Sequence, residues 1–350
     1  LFTTNNNSGT TTYNWINSDP SIGLAATGSG DIPSFTAVNA GSVFVVSTIT
    51  VTPTYSNGGV FCSGTPITFT ITVNPIPIAT ATPSTVTICS SDLTNIALTS
   101  NAIGTTYVWT SAATNVTGAS SASGNTITDA LTATAVNPGT VVYTITPSGS
   151  GCSGLPITAT VIVNPLPTAT MSANATICAG QSHNFNIAFT GTGPWDYDMS
   201  TPGGAVSPPN AATSPAIYSA TAAGNYSVTT VTDANSCTSA AASNVAILTV
   251  NALPTGVFSA NASECTGVCH DFTIALTGQA PWNFDIQGPS GADPGNTHNS
   301  ATNSYTFSAC AEGNYFVTSI TDNTGCVNNV DSPLANLDLI PLPTATWVTT

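Results

Sequence analysis

The chain has 350 residues with fifteen Asp and Glu, three His and no Lys or Arg, a formal charge of −15. With no cations to meet phosphate groups, a basic patch for nucleic acid or anionic lipid is excluded, and so is a Lys–Asn isopeptide brace. Ion pairs are restricted to a protonated His or the chain's own terminus.

Apolar residues make up 41% of the chain and alternate in short runs, which separates it from a disordered polar tract. The remaining Thr, Ser, Asn and Gly favour strands and turns over helices. No run approaches the ~20 apolar residues of a membrane span, so no membrane insertion is expected. No signal peptide is visible and the first residue is Leu1 rather than Met, as expected of a mature product or a fragment.

A proline tetrad recurs along the chain. Asn74-Pro75-Ile76-Pro77 returns as Asn164 to Pro167, Asn251 to Pro254 and Ile340 to Pro343, at intervals of 90, 87 and 89 residues. That period is too long for a solenoid repeat and suits one immunoglobulin-sized β-sandwich. The predicted fold is therefore all-β, a tandem array of immunoglobulin-like sandwiches joined by short Pro-rich linkers. Each unit is long enough to bury its own core. The predicted units are 1–77, a sandwich lacking its first strand or strands, then 78–167, 168–254 and 255–343, and finally 344–350, the first strand of a further repeat. Proline at alternate positions keeps each linker extended, which predicts a rod with a rise of roughly 35–45 Å per unit.

In the first unit Tyr13-Asn14-Trp15 matches Tyr107-Val108-Trp109, so Leu1 is expected near the middle of strand B, with strand A absent. This predicts a window cut from a longer repeat chain, or a subunit whose tail completes the first sandwich of another copy. In the second unit Ile96 and Leu98 mark strand B, Trp109 strand C, Tyr143 and Ile145 strand F, and Ile157 to Val163 strand G. In the third unit 168–173 reads as strand A, Phe185, Ile187 and Phe189 as B, Trp195 and Tyr197 as C, and Ile217 as E. There Gly224-Asn225-Tyr226 opens F, and 245–250 reads as G. The third and fourth units align without gaps over their first halves, carrying Cys178, His183, Phe185 and Trp195 onto Cys265, His270, Phe272 and Trp282.

Val142 to Pro147, Gly151-Cys152-Ser153-Gly154, Pro156-Ile157-Thr158 onward to Pro165, Thr176 to Gly180 and Thr232 to Cys237 carry a resemblance. The chain resembles the PKD-like and Ig-like repeats of very large surface proteins of gliding Bacteroidetes. The resemblance covers nearly the whole chain. It implies export by the type IX secretion system and a cell-surface, adhesive role, the gliding-motility adhesins included.

Nine cysteines with no CxxC pair and no zinc spacing point to disulfides in an oxidising, extracellular compartment. Within-unit pairing would join Cys89 to Cys152, Cys178 to Cys237 and Cys265 to Cys326, leaving Cys62 with a partner outside the chain. Geometry favours a different set. Cys89, Cys178 and Cys265 precede strand B at one end of a sandwich, whereas Cys152, Cys237 and Cys326 follow strand F at the other. A disulfide holds Cα atoms within about 4.4–6.8 Å, and strand F covers roughly 26 Å. In a tandem the bottom of one unit meets the top of the next, which pairs Cys89 with Cys237 and Cys178 with Cys326. Cys269 and Cys310 both fall at the bottom of the fourth unit and are expected to pair.

No catalytic constellation is present: no Ser-His-Asp order, phosphate loop or HExxH. His183 and His270 hold equivalent places at the start of strand B, and His298 falls in a Gly/Asn-rich loop. No cofactor is expected, with calcium as the one candidate, on Asp196 and Asp198 with Asp285 as the counterpart of Asp198. Two solvated acids beside a core stripe is the alternative. Trp15, Trp109, Trp195 and Trp282 recur on strand C, where sandwiches bury a tryptophan; a sugar-stacking platform is the alternative. Trp347 is expected to be buried once its own domain is present.

The sequence thus predicts a structural stalk or filament segment of a secreted bacterial adhesin, with no catalysis. Its expected partners are further repeats, with lateral or end-to-end self-association and a surface or glycan ligand open. The alternatives are a ligand- or carbohydrate-binding module, with its site in the variable stretches 201–214 and 288–303, and the spacer of a secreted hydrolase.

Overall fold

Alternating apolar residues build strands throughout: the computed structural model, which describes residues 1–240, 243–292 and 297–347, is 55% strand and 1% helix. The fold is all-β, a tandem of immunoglobulin-like repeats.

The first repeat forms β1 (Thr10–Asn17), β2 (Thr27–Ser29), β3 (Val45–Asn57), β4 (Val60–Ser63) and β5 (Ile67–Val73) in one five-stranded sheet. Residues 1–9 carry no strand, so Leu1 is not inside strand B as predicted. Phe2 instead packs its ring 5.3 Å from Tyr13. Ile22 and Leu24, from the segment between β1 and β2, close over Trp15, Ile49 and Val51. Asn17 pins that segment, since its buried side chain donates to Leu24 O at 2.8 Å and accepts from the Ser47 hydroxyl.

The second repeat lays down β6 (Ala79–Thr82), β7 (Thr85–Cys89), β8 (Ile96–Ser100), β9 (Thr106–Thr114), β10 (Gly139–Gly149) and β11 (Ile157–Asn164). β6 pairs with β8 in one sheet, and β9, β10, β11 and β7 follow one another in the other. Val141, Tyr143 and Ile145 of β10 alternate inward and are fully buried, each large apolar group contributing about 1.5–3 kcal/mol.

The third repeat has β12 (Ala169–Met171), β13 (Ala175–Cys178), β14 (His183–Phe189), β15 (Asp196–Thr201), β16 (Ala216–Ala220), β17 (Gly224–Thr232) and β18 (Ala246–Asn251). The fourth has β19 (Thr255–Phe258), β20 (Ala262–Cys265), β21 (His270–Thr277), β22 (Trp282–Gly288), β23 (His298–Ser300), β24 (Ser304–Ala309), β25 (Gly313–Thr321) and β26 (Ala335–Ile340). At the start of strand F, Tyr226 and Tyr315 donate their hydroxyls to the carbonyls of Ala222 and Ala311, at 2.7 and 2.8 Å. This is the corner bond of immunoglobulin sandwiches. Tyr143 differs, donating to Asp129 at 2.6 Å.

Strand A departs from the prediction. It is not one strand over 168–173 but two halves on different sheets. β12 pairs with β14, whereas β13 runs parallel to β18; β6 with β7 and β19 with β20 divide in the same way. The cysteines expected in an A–B turn therefore lie inside sheet structure, as the last residues of β7, β13 and β20.

Two compact units are present. One is Leu1–Pro167 with Thr190–Thr192 and Thr232–Ser239; the other is Thr168–Phe189, Gly193–Val231 and Ala240–Thr350. The division differs from the tetrad boundaries because two loops of the third repeat pack with the second, for reasons given below. Residues 341–347 form no strand, against the strand predicted over 344–350, and Trp347, expected to be buried only within a domain of its own, is 98% exposed. The last three residues of the predicted 344–350 strand lie outside the described residues.

Candidate functional site

The second half of strand A ends where strand G ends. In parallel register Cys89 stands opposite Asn164, Cys178 opposite Asn251 and Cys265 opposite Ile340. Those three partners open the proline tetrads, so the chain leaves each sandwich beside a cysteine.

The next repeat brings its own cysteine to the same place. β17 and β25 end in Thr232 and Thr321, and a tight turn carries Asp233 to Cys237 and Asp322 to Cys326. Asp233 accepts the N–H groups of Asn235, Cys237 and Thr192 at 2.9, 3.1 and 3.2 Å. Asp322 accepts those of Thr324, Cys326 and Gln279 at 3.0, 3.3 and 3.0 Å, and the Thr324 hydroxyl at 2.6 Å. Burial works against ionisation of Asp322, but the Thr324 hydroxyl and these N–H groups outweigh it and hold the carboxyl below its ordinary pKa. The residue before each cysteine is left-handed, Ser236 at φ 63° and Gly325 at φ 79°. Both cysteines are fully buried.

The tetrad proline seats against this turn. A Cβ on Gly191 would lie 2.9 Å from the Asp233 carboxylate and 3.2 Å from Pro167, and one on Gly278 would lie 2.7 Å from Asp322 and 3.1 Å from Pro254. Both glycines have a left-handed backbone, at φ 88° and 101°, and a side chain there would crowd the carboxylate and the proline. Asn328 adds a bond to Pro254 O at 2.9 Å, and Asn74 of the first tetrad donates to Ser150 O at 2.9 Å.

The two ends are joined covalently. Cys89 is bonded to Cys237 and Cys178 to Cys326, each with Cα atoms 5.5 Å apart and 148 residues of intervening sequence separation. These bonds, with the seated proline, are why Thr190–Thr192 and Thr232–Ser239 belong with the second repeat. Cys269 is bonded to Cys310 within the fourth repeat, Cα atoms 4.1 Å apart. The within-unit pairs Cys89–Cys152, Cys178–Cys237 and Cys265–Cys326 do not form, since the length of strand F separates their ends. Cys62, Cys152 and Cys265 are free thiols. The two aspartates were not identified from sequence as part of the site. The Thr-Asp-x-x-x-Cys spacing shared by Thr232–Cys237 and Thr321–Cys326 is the signal that marks them.

The remaining candidates are placed as follows. Trp15, Trp109, Trp195 and Trp282 are all buried, and Trp282 donates to Thr277 O at 2.7 Å. His183 and His270 pack edge-on against Phe185 and Phe272, each 4.7 Å away, and His270 Nδ1 lies 3.0 Å from Glu264. His298, expected in a loop, is on β23 paired to β22, with its ring stacked 5.7 Å from Phe284 and its Nδ1 3.1 Å from the Tyr305 hydroxyl. Aromatic packing draws it into the sheet. Asp198 accepts from the hydroxyls of Ser207 at 2.5 Å and Thr230 at 2.8 Å, which lower its pKa. Asp196 and Asp285 are exposed and lie in different repeats. Among the described residues no group of three or more His, Cys, Asp or Glu is placed to hold a metal ion.

Two hollows lie in or beside the variable stretches. One of about 420 Å³ is bordered by Tyr197, Pro208 and Tyr218, and one of about 400 Å³ by Pro289, Phe307 and Tyr315. A third, of about 820 Å³, lies beside the first tetrad between Val38, Ile76, Ile78 and Leu155.

A profile of the PKD-like domain family matches residues 86–167. No curated protein matches the chain in sequence. Among solved structures, an E-to-A variant of titin domains I67–I69 aligns with TM-score 0.43 at 11% identity, covering 75% of this chain and 98% of that one. Immunoglobulin domains 1–5 of Sidekick-1 align with TM-score 0.25 at 12% identity, covering 96% and 75%. Fibronectin(III)-like modules of Clostridium thermocellum CbhA align with TM-score 0.24 at 14% identity, covering 52% and 100%. Residues 86–167 are thus similar to a PKD-like domain, within the all-β tandem described above.

Proposed function

We propose that this chain is a structural stalk or filament segment of a secreted bacterial surface adhesin, in which the junctions bear load and no residue performs chemistry. The observation that carries this reading is the repeated covalent junction. Two successive disulfides, each spanning 148 residues, tie one repeat to the next rather than closing a repeat on itself. A catalytic or ligand-binding domain gains little from such ties, whereas a load-bearing tandem gains resistance to bending and slippage between its units. Three disulfides also favour an oxidising compartment, and the absence of Lys and Arg removes every trypsin site, an advantage outside the cell. The resemblance to surface proteins of gliding Bacteroidetes supports export by the type IX route and display on the cell surface.

Immunogold electron microscopy with antibodies raised against residues 1–350 tests the reading on the producing cells. Label along threads projecting from the surface is expected. Label confined to the cell interior, or to a freely diffusing enzyme, would overturn it.

A further inference from the structure

We infer that Cys265 is an open half-junction, placed to form a disulfide with the thiol in the turn after strand F of a further β-sandwich of this same repeat type. The inference goes beyond the stalk reading and holds wherever the protein is displayed.

Cys265 repeats a position that is bonded twice in this chain. Cys89, Cys178 and Cys265 each end the second half of strand A, each lies in parallel register with the last residue of strand G, and each stands beside a tetrad ending Leu-Pro. The first two are bonded to the F–G turn of the next repeat at the same Cα separation. Cys265 is exposed and reduced. The within-repeat alternative is closed to it, because Cys326 is already held by Cys178 and Cys269 by Cys310. Around Cys265 the corresponding tetrad is in place, with Ile340 where the other two have Asn164 and Asn251. Leu342 and Ile340 of the tetrad are exposed at 60% and 52%, and Pro343 occupies the place from which Pro167 and Pro254 seat against an aspartate-held turn. The occupant is therefore specified by chemistry: a turn of the type seen at Asp233–Cys237, with a glycine that admits the proline.

Bond formation is a two-electron oxidation. The two thiols give up two protons and two electrons to a disulfide oxidant, either an oxidoreductase disulfide or a small-molecule disulfide such as oxidised glutathione. Attack by one thiolate gives a mixed disulfide, which the second thiolate resolves, and the oxidant leaves as two thiols.

The test is a chain extended by one repeat, with a second copy of residues 255–343 joined after Pro343, produced with oxidised glutathione. Free thiols are alkylated before reduction and located by mass spectrometry after chymotryptic digestion. In the parent chain Cys62, Cys152 and Cys265 are expected to alkylate. In the extended chain, with the appended equivalent of Cys265 replaced by Ser so that its peptide is distinct, alkylation of Cys265 is lost, and Cys265 is recovered linked to the appended equivalent of Cys326. The appended equivalents of Cys269 and Cys310, linked to each other, report that the added repeat has folded. Cys265→Ser in the extended chain returns the appended F–G thiol to the alkylated pool. A parallel extension with residues 168–254 supplies a second acceptor turn. If Cys265 stays alkylatable in both extensions, or the appended F–G thiol pairs elsewhere, the inference is wrong.

Discussion

Asp322 accepts the backbone N–H of Cys326 at 3.3 Å, as Asp233 does that of Cys237 at 3.1 Å. Each carboxylate thereby shapes the turn that offers a sulfur to the preceding repeat. The junction thus depends on a buried anion as well as on a disulfide.

Replacing Asp322 by Ala is expected to destabilise the fourth repeat by about 2–3 kcal/mol, since charge-assisted hydrogen bonds are lost and buried N–H groups are left unpaired. Differential scanning calorimetry of the oxidised chain checks this. The pH dependence follows from the lowered pKa. The unfolded carboxyl binds protons more readily than the folded one, so the stabilisation is complete above the ordinary aspartate range near pH 4. It is lost as pH falls through the folded value. Asp322→Asn should flatten this acid limb; an unchanged acid limb would show that Asp322 does not govern it.

Pulled from its ends in a force microscope, the oxidised chain should lengthen to only about half the limit of the reduced chain. Load passes to Cys89, crosses to Cys237, runs back to Cys178 and crosses to Cys326, which shields residues 90–177 and 238–325. At about 3.6 Å per residue this means limits near 600 Å oxidised and 1,200 Å reduced. Equal limits would refute the pairing.

The Cys269–Cys310 bond closes a loop of 41 residues inside the fourth repeat. Chain-entropy reasoning assigns such a bond about 4 kcal/mol. The double substitution Cys269→Ala with Cys310→Ala should lower the fourth repeat's stability by about that amount in urea titrations, leaving the two long-range disulfides intact by mass mapping.

Ser236 adopts a left-handed backbone where the fourth repeat has Gly325. Ser236→Gly should therefore stabilise the third repeat by about 0.5–1 kcal/mol, relieving a conformation that side chains disfavour. Ser236→Val should do the reverse, by thermal denaturation.

Trypsin should leave both native and denatured chains whole. Chymotrypsin should first cut the native chain at Phe44 and Trp347, which are exposed and outside strands, and reach Trp109, Trp195 and Trp282 only after unfolding. Early cleavage at those three tryptophans would contradict their burial.

Much of this protein was legible in its sequence because β structure is written in a local period. Phe185, Ile187 and Phe189 alternate toward one core, and Val141, Tyr143 and Ile145 toward another, as any half-buried strand requires. The tetrads mark the repeat for the same local reason, proline's fixed φ and missing N–H. Even the favoured cysteine pairing followed from the cysteines' places before strand B and after strand F, the length of strand F and the tandem order. The tertiary structure decided what no local pattern encodes. Strand A divides between two sheets because Ala169 and Met171 find β14 while Ala175 to Cys178 find β18, more than sixty residues away. His298 joins a strand because Phe284 and Tyr305 surround it. Asp233 and Asp322 look like ordinary loop acids until folding closes backbone N–H groups around them and sets a sulfur beside a cysteine 148 residues distant. A two-residue period reports which side of a strand faces the core; which strand lies alongside it depends on the packing of the whole repeat.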